Sequence, residues 1–194
     1  MKKSLNIILA EDESIILMGI KSNIESLGHQ VIAQAYDGVE AVKLALEKEV
    51  DLIIIDINMP KMDGIEAVEK INEEKFVPAI IVTGYNDEKL ISRASRSGAF
   101  AYLIKPVDVN DIKPAINIAW ARFEEFQKVL SELDSSQKAL EARKIIEKAK
   151  GIVMDRKGIK ESKAMKFLQK KSNDTNKKMI VIAKEIIEAD KKFK

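Results

Sequence analysis

Five positions close short apolar runs and carry groups that could do chemistry together. Glu11 and Asp12 follow Leu5–Ala10, Asp56 follows Leu52–Ile55, Thr83 follows Ala79–Val82, and Lys105 follows Ala101–Ile104. If these runs are parallel strands, their carboxyl ends face the crevice where open α/β sheets bind ligands. Three carboxylates gathered there would repel one another unless something compensates. A hard divalent cation with oxygen ligands would do so, and Mg²⁺ typically takes one or two carboxylates with waters and a phosphoryl oxygen. Lys105 offers a second positive partner and Thr83 a hydroxyl for a new oxyanion. This set suits phosphoryl transfer onto a carboxylate, in which positioning and charge neutralisation supply most of the catalysis. No GxxxxGK[ST] loop and no GxGxxG motif is present, so nothing points to a bound nucleotide as the donor.

The elements that must position these groups follow from the hydropathy pattern. A further apolar run, Val31–Ala35, lies between the first and third. Ile53-Ile54-Ile55 lacks polar alternation, as expected of a parallel sheet covered on both faces. Helix-period stretches separate the runs: Ser14–Leu27, Val39–Lys48, Ile65–Glu73, Glu88–Ser97 and a last one from Asp108 onward. Gly28, Gly64 and Gly98 punctuate their edges. Five β–α units predict a doubly wound α/β domain with a five-stranded parallel sheet over about residues 1–125.

Composition narrows the classes. There is no Cys and one His, His29, which excludes disulfide scaffolds, thiolate metal sites and His-rich centres. The first residues turn acidic too soon for a signal peptide, and no apolar run approaches a membrane span. A cytoplasmic chain without a membrane partner is expected. The net charge is +2, but residues 130–194 hold 18 Lys and Arg against 10 Asp and Glu, while residues 1–129 hold 15 against 21. An acidic front and a basic back suggest modules with different partners.

Residues 1–125 resemble a response regulator receiver domain. The matching pieces are Glu11-Asp12, Asp56 with Met59-Pro60-Lys61-Met62-Asp63-Gly64, Thr83-Gly84 and Lys105-Pro106. The resemblance implies that Asp56 accepts a phosphoryl group from a histidine kinase. It implies Mg²⁺ held by Glu11, Asp12, Asp56 and the Asn58 main-chain carbonyl. It also implies a switch pair of Thr83 and Tyr102, with Lys105 on the phosphoryl oxygens and a cis Lys105-Pro106 bond. An aromatic at Tyr102 also reads as a core residue at a strand end.

Beyond Asp108 strand signals stop. Pro114 should sit in the first helical turn, where its missing N–H is tolerated. Ile112, Ile116, Ala119, Phe123, Phe126, Leu130, Leu133, Gln137 and Leu140 alternate steps of four and three. That heptad register predicts a long helix leaving the α/β domain as a coiled coil. Phe126, Leu130 and Leu133 are the expected dimer contacts. The alternative is a helix packed back on its own domain.

The tail adds three amphipathic pieces: Ala142 to Val153, Glu161–Lys171 and Lys177–Lys191. Cations crowd the first, and Lys144 and Lys148 stand four apart, a mildly repulsive spacing. Such a face suggests a polyanion. Gly151 interrupts an apolar-periodic helix at a cost of roughly 1 kcal/mol relative to Ala, which close approach of a helix or a ligand would explain. Phe167 reads as core, so stacking platforms for single-stranded bases look poor, and a structured nucleic acid is the better expectation. Residues 138–190 resemble the ANTAR domain of transcription antitermination regulators through Ala149-Lys150-Gly151, Met154 and Gly158, with Ala164, Leu168 and Ile182-Ala183. The resemblance implies binding of paired RNA hairpins ahead of a terminator. Arg143, Lys144, Lys148, Lys150, Asn176, Lys177 and Lys178 are the expected RNA contacts.

The expected organisation is a receiver domain at 1–122, a helical coiled-coil linker at 108–140 and a three-helix ANTAR domain at 138–194. The expected protein is a two-component regulator rather than an enzyme on small molecules. It is phosphorylated on aspartate, dimerises when phosphorylated and binds hairpins in nascent mRNA leaders. A DNA-binding response regulator, through a helix-turn-helix, and a protein-interaction module are the alternatives.

Overall fold

The computed structural model describes residues 4–84, 93 and 97–191. The chain divides into two compact units, Met1–Gln127 and Lys128–Lys194. In the first, β1 (Asn6–Ala10), β2 (Gln30–Ala35), β3 (Leu52–Asp56), β4 (Ala79–Thr83) and β5 (Ala99–Ile104) form one sheet. Its order is β2-β1-β3-β4-β5 and every pairing is parallel. Helices α1 (Ser14–Ser26), α2 (Gly38–Glu47) and α3 (Gly64–Glu74) connect the strands. The expected helix Glu88–Ser97 falls almost wholly outside the described residues.

Every residue of β3 and β4 is buried, which is why those runs show no polar alternation. Alternate strand residues serve opposite faces. Ile8, Ile53, Ile55 and Ile81 pack with Ala41, Ala45, Ile65, Val68 and Ile71 of α2 and α3. Ile7, Leu9, Ile54 and Ile80 pack with Leu17, Ile20 and Ile24 of α1 and with Ile112, Ile116 and Ala119. The last three belong to α4, a single 49-residue helix, Val109–Lys157.

Asp108 starts α4. Its Oδ1 accepts from the Asn110 N–H at 2.6 Å, an N-cap bond, and Asp111 Oδ2 accepts from the Asp108 N–H at 3.1 Å, the return bond of a capping box. This start places Pro114 inside the helix rather than in its first turn as expected. The stop of α4 at Lys157 also means that the first tail piece is not separate but the end of this helix.

Two further helices complete the second unit, α5 (Glu161–Thr175) and α6 (Met179–Lys191). Their core with α4 is small: Ala149, Val153, Ala164, Leu168, Ile182 and Ala183 are buried, with Phe167 and Ile186 partly covered. Gly158, at φ +61°, and Asn176, at φ 51°, turn the chain between the helices. No helix among the described residues is long and apolar enough to cross a membrane.

Candidate functional site

The sheet order reverses direction between β1 and β3, and the crevice at that switch point is the expected ligand site. Glu11 and Asp12 leave the end of β1, and Asp56 is the last residue of β3. Carboxylate oxygens of the three lie within 4.8 Å of one another. Glu11 and Asp56 are buried, whereas Asp12 is exposed. Lys105, just past β5, sets its Nζ 2.8 Å from Asp56 Oδ2, and donates to Glu11 Oε1 at 3.0 Å. Glu11 Oε2 is an ion-pair contact at 2.8 Å without hydrogen-bond geometry. Asp56 Oδ1 is buried and accepts no hydrogen bond among the described residues.

Burial pushes the Glu11 carboxyl above its ordinary value, against the lowering pull of Lys105. For Lys105 burial favours the neutral amine, yet hydrogen bonds and charge from Asp56 and Glu11 outweigh it and raise the pKa. The ammonium is the resident counter-charge of a crowded anionic pocket. Thr83 is buried at the end of β4, and its carbonyl accepts from the Lys105 N–H at 2.8 Å. Tyr102 is 49% exposed on β5, so it is not the strand-end core aromatic that its position also allowed.

The loop after Asp56 is fixed by glycine. A Cβ on Gly64 would stand 2.0 Å from the Asp56 carbonyl oxygen, and one on Gly38 would stand 2.3 Å from that of Met62. Asp63 caps α3 by accepting from the Glu66 N–H at 2.8 Å and also pairs with Arg93 at 3.0 Å. Asp37 caps α2 through the Glu40 N–H at 2.8 Å and binds Lys61 Nζ at 2.6 Å. Lys61 itself sits at φ 66°. The acidic pocket thus rests on a loop held by caps and two close backbone approaches, and the Lys105-Pro106 bond after β5 is cis.

The cations of the second unit sort into two groups. Lys150 is buried and paired with Glu147 at 2.5 Å and Glu161 at 2.6 Å. Its ammonium ties α4 to the start of α5. Lys177 pairs with Glu185 at 2.6 Å and Arg156 with Asp190 at 2.7 Å. By contrast Arg143, Lys144, Lys148 and Lys178 are exposed, with no carboxylate in ion-pair contact among the described residues. Asn176 is exposed at the left-handed end of α5. Outside its chain neighbours and its own helix backbone, Gly151 has no atom among the described residues within 4 Å of where a Cβ would stand, so packing inside this unit does not explain the glycine. Of the expected dimer contacts, Phe126 packs against Phe76 of its own unit, the rings tilted by 35° with centroids 4.8 Å apart. Leu130 and Leu133 remain 41% and 61% exposed.

The Response regulator receiver domain model matches residues 7–117, and the ANTAR domain model matches residues 134–187. The transcriptional regulatory protein PdtaR of Mycobacterium tuberculosis is 35% identical over 182 residues, covering 94% of this chain and 89% of PdtaR. The chain belongs to the response regulators that join a receiver domain to an ANTAR domain. A receiver domain protein from Clostridium thermocellum superposes with TM-score 0.57 at 34% identity, over 63% of this chain and 98% of that one. CheY of Borrelia burgdorferi, in a complex of CheX, CheY, BeF₃ and Mg²⁺, superposes with TM-score 0.56 at 28% identity, over 58% and 86%.

Receiver domains typically bind Mg²⁺ at an acidic pocket, and this receiver's donor set suits it. Three carboxylates converge, all donors are hard oxygens, and a buried Asp56 oxygen accepts no hydrogen bond among the described residues. Within the ANTAR domain, Ala149 and Ala164 belong to the core, and Met154 packs against it. The part played by Gly38 was not read from the sequence. Asp37-Gly38 ahead of a helix was the available signal, since Asp is a preferred N-cap.

Proposed function

We propose that this regulator takes a phosphoryl group on Asp56 from a histidine kinase and then binds paired RNA hairpins in nascent mRNA leaders, causing transcription antitermination. One observation carries the first half: a buried Asp56 carboxylate with one oxygen on Lys105 at 2.8 Å and the other accepting no hydrogen bond among the described residues. In the transfer, the bond from phosphorus to the kinase histidine nitrogen breaks and one to an Asp56 oxygen forms. Bound by Glu11, Asp12, Asp56 and the Asn58 carbonyl, Mg²⁺ would neutralise charge on the transferring group. Lys105 holds Asp56 in place and follows the charge onto the phosphoryl oxygens. The product adds about −1.5 to −2 charge, which draws the Thr83 hydroxyl inward while Tyr102 repacks.

The second half rests on the exposed cations Arg143, Lys144 and Lys148 beside Gly151 on α4. A bare glycine among unpaired cations admits a phosphate backbone close to the helix. Leu130 and Leu133 supply an apolar stripe for a second copy, and pairing two ANTAR domains raises effective concentration on two hairpins without new contacts. The test is binding of hairpin RNA against duplex DNA of equal length, with and without phosphodonor. Tighter, donor-dependent binding of the RNA supports the reading. Preference for the duplex DNA would assign a DNA-binding regulator instead, and salt-insensitive or absent RNA binding a protein-interaction module.

A further inference from the structure

The ANTAR domain carries an opening that the cationic surface does not account for. A cleft of about 350 Å³ lies between the end of α4, α5 and α6, within the range of small-molecule sites, roughly 300–1,000 Å³. Its apolar lining includes Ile152, Phe167, Ile186 and Ala189. The layer beside it is closed by small residues, Ala149, Ala164 and Ala183, all fully buried. The helices therefore meet at the alanines and part at Phe167. Phe167, expected from the sequence as core, is only partly covered, and Lys157 Nζ lies 4.6 Å from its ring centroid.

The mouth is charged. Lys157 and Lys171 line it and have no carboxylate in ion-pair contact among the described residues. Arg156 and Asp190 pair across it, Nη2 to Oδ1 at 2.7 Å. An apolar cleft with an aromatic wall, flanking cations and a donor–acceptor pair at its edge has the chemistry of a base-binding site. Bases in RNA loops can be splayed out, stacked on aromatic rings and read along their edges.

We propose that this cleft captures one unpaired base from the hairpin loop, which deepens the RNA-binding reading above and rests on it. The base lies against Phe167, displacing the Lys157 ammonium from the ring onto the nucleotide's phosphate. Lys171 meets the neighbouring phosphate. Asp190 accepts from an exocyclic amino group, so adenine, guanine or cytosine is favoured over uracil.

The test uses the full chain and a hairpin RNA that it selects from a pool with a fixed stem and a randomised loop. Phe167→Leu keeps an apolar side chain, and Ala189→Met fills the cleft from an exposed position. Each is expected to weaken the hairpin about tenfold, in line with the loss of one stacked base. Binding of the same stem as a blunt duplex should not change. A 2-aminopurine walk through the loop should find one position whose emission responds to wild type but not to either variant, and uridine there should weaken binding. Unchanged hairpin affinity in both variants, or equal loss on the blunt duplex, overturns the cleft while leaving RNA binding intact. Failure to select any hairpin overturns both.

Discussion

The two halves of this molecule handle charge in opposite ways. In the receiver domain Glu11 and Asp56 are buried, crowded and answered by one internal lysine, Lys105. In the ANTAR domain Arg143, Lys144 and Lys148 stand in water without such an answer. Buried like charges cost stability unless a partner is present, so their placement marks a site directly. Exposed cations cost little, so each looks ordinary and only the group, with the open Gly151, points to a partner. The same contrast holds for the cores. The receiver sheet is covered on both faces, while the ANTAR bundle rests on six buried side chains.

That difference in core size can be broken first. Leu168→Ala is expected to cost about 2–5 kcal/mol, as for buried leucines generally. It should unfold the ANTAR domain while phosphodonor still labels Asp56, which urea melts and Phos-tag gels would separate. Labelling lost together with the ANTAR signal would mean that the units do not fold independently. Lys105→Met leaves two buried carboxylates without their cation. It should cost about 3 kcal/mol, with partial recovery in Mg²⁺, read by chemical denaturation in EDTA and in the metal. Stability equal to wild type in EDTA would contradict the role given to Lys105.

Smaller effects sharpen the surface side. Neutralising Lys144 or Lys148 should lower the slope of log affinity against log salt by about one each. Lys150→Met should lower stability and leave that slope unchanged, because its ammonium already serves Glu147 and Glu161. Gly151→Ala should stabilise α4 by roughly 1 kcal/mol and weaken RNA binding at the same time. A gain in both would remove the glycine from the interface.

The smallest effect is a pH dependence. Burial lowers the His29 pKa below 6.5, and its Nδ1 accepts from the Leu5 N–H at 3.3 Å. The unfolded chain then binds the proton more readily. Stability is full above the unfolded value and falls as pH drops through about 6.5 toward the folded value. His29→Gln should flatten that fall in thermal melts.

Much of this was legible in the sequence, for stated reasons. Buried parallel strands are continuous apolar runs, so the strand ends and the groups on them could be read with small errors at the boundaries. The heptad period placed a long helix correctly but could not say what covers each turn. Phe126 meets Phe76, fifty residues earlier, in an aromatic cluster with Phe100 and Phe123. Lys150 looked like its basic neighbours because Glu161 reaches it only through the turn into α5. Pro114 reads as a first-turn proline, but with the cap at Asp108 it falls in the second turn of α4. The cleft at Phe167 depends on where alanines let helices touch, which periodicity does not record.

The central claim is that one aspartate governs the basic half. Its most direct test is hairpin RNA affinity and mass by analytical ultracentrifugation, for wild type and Asp56→Ala, with and without phosphodonor. Wild type should shift from monomer to dimer and bind the hairpin pair more tightly, while Asp56→Ala stays monomeric and weak. An Asp56→Ala protein that dimerises and binds as wild type does would contradict the account.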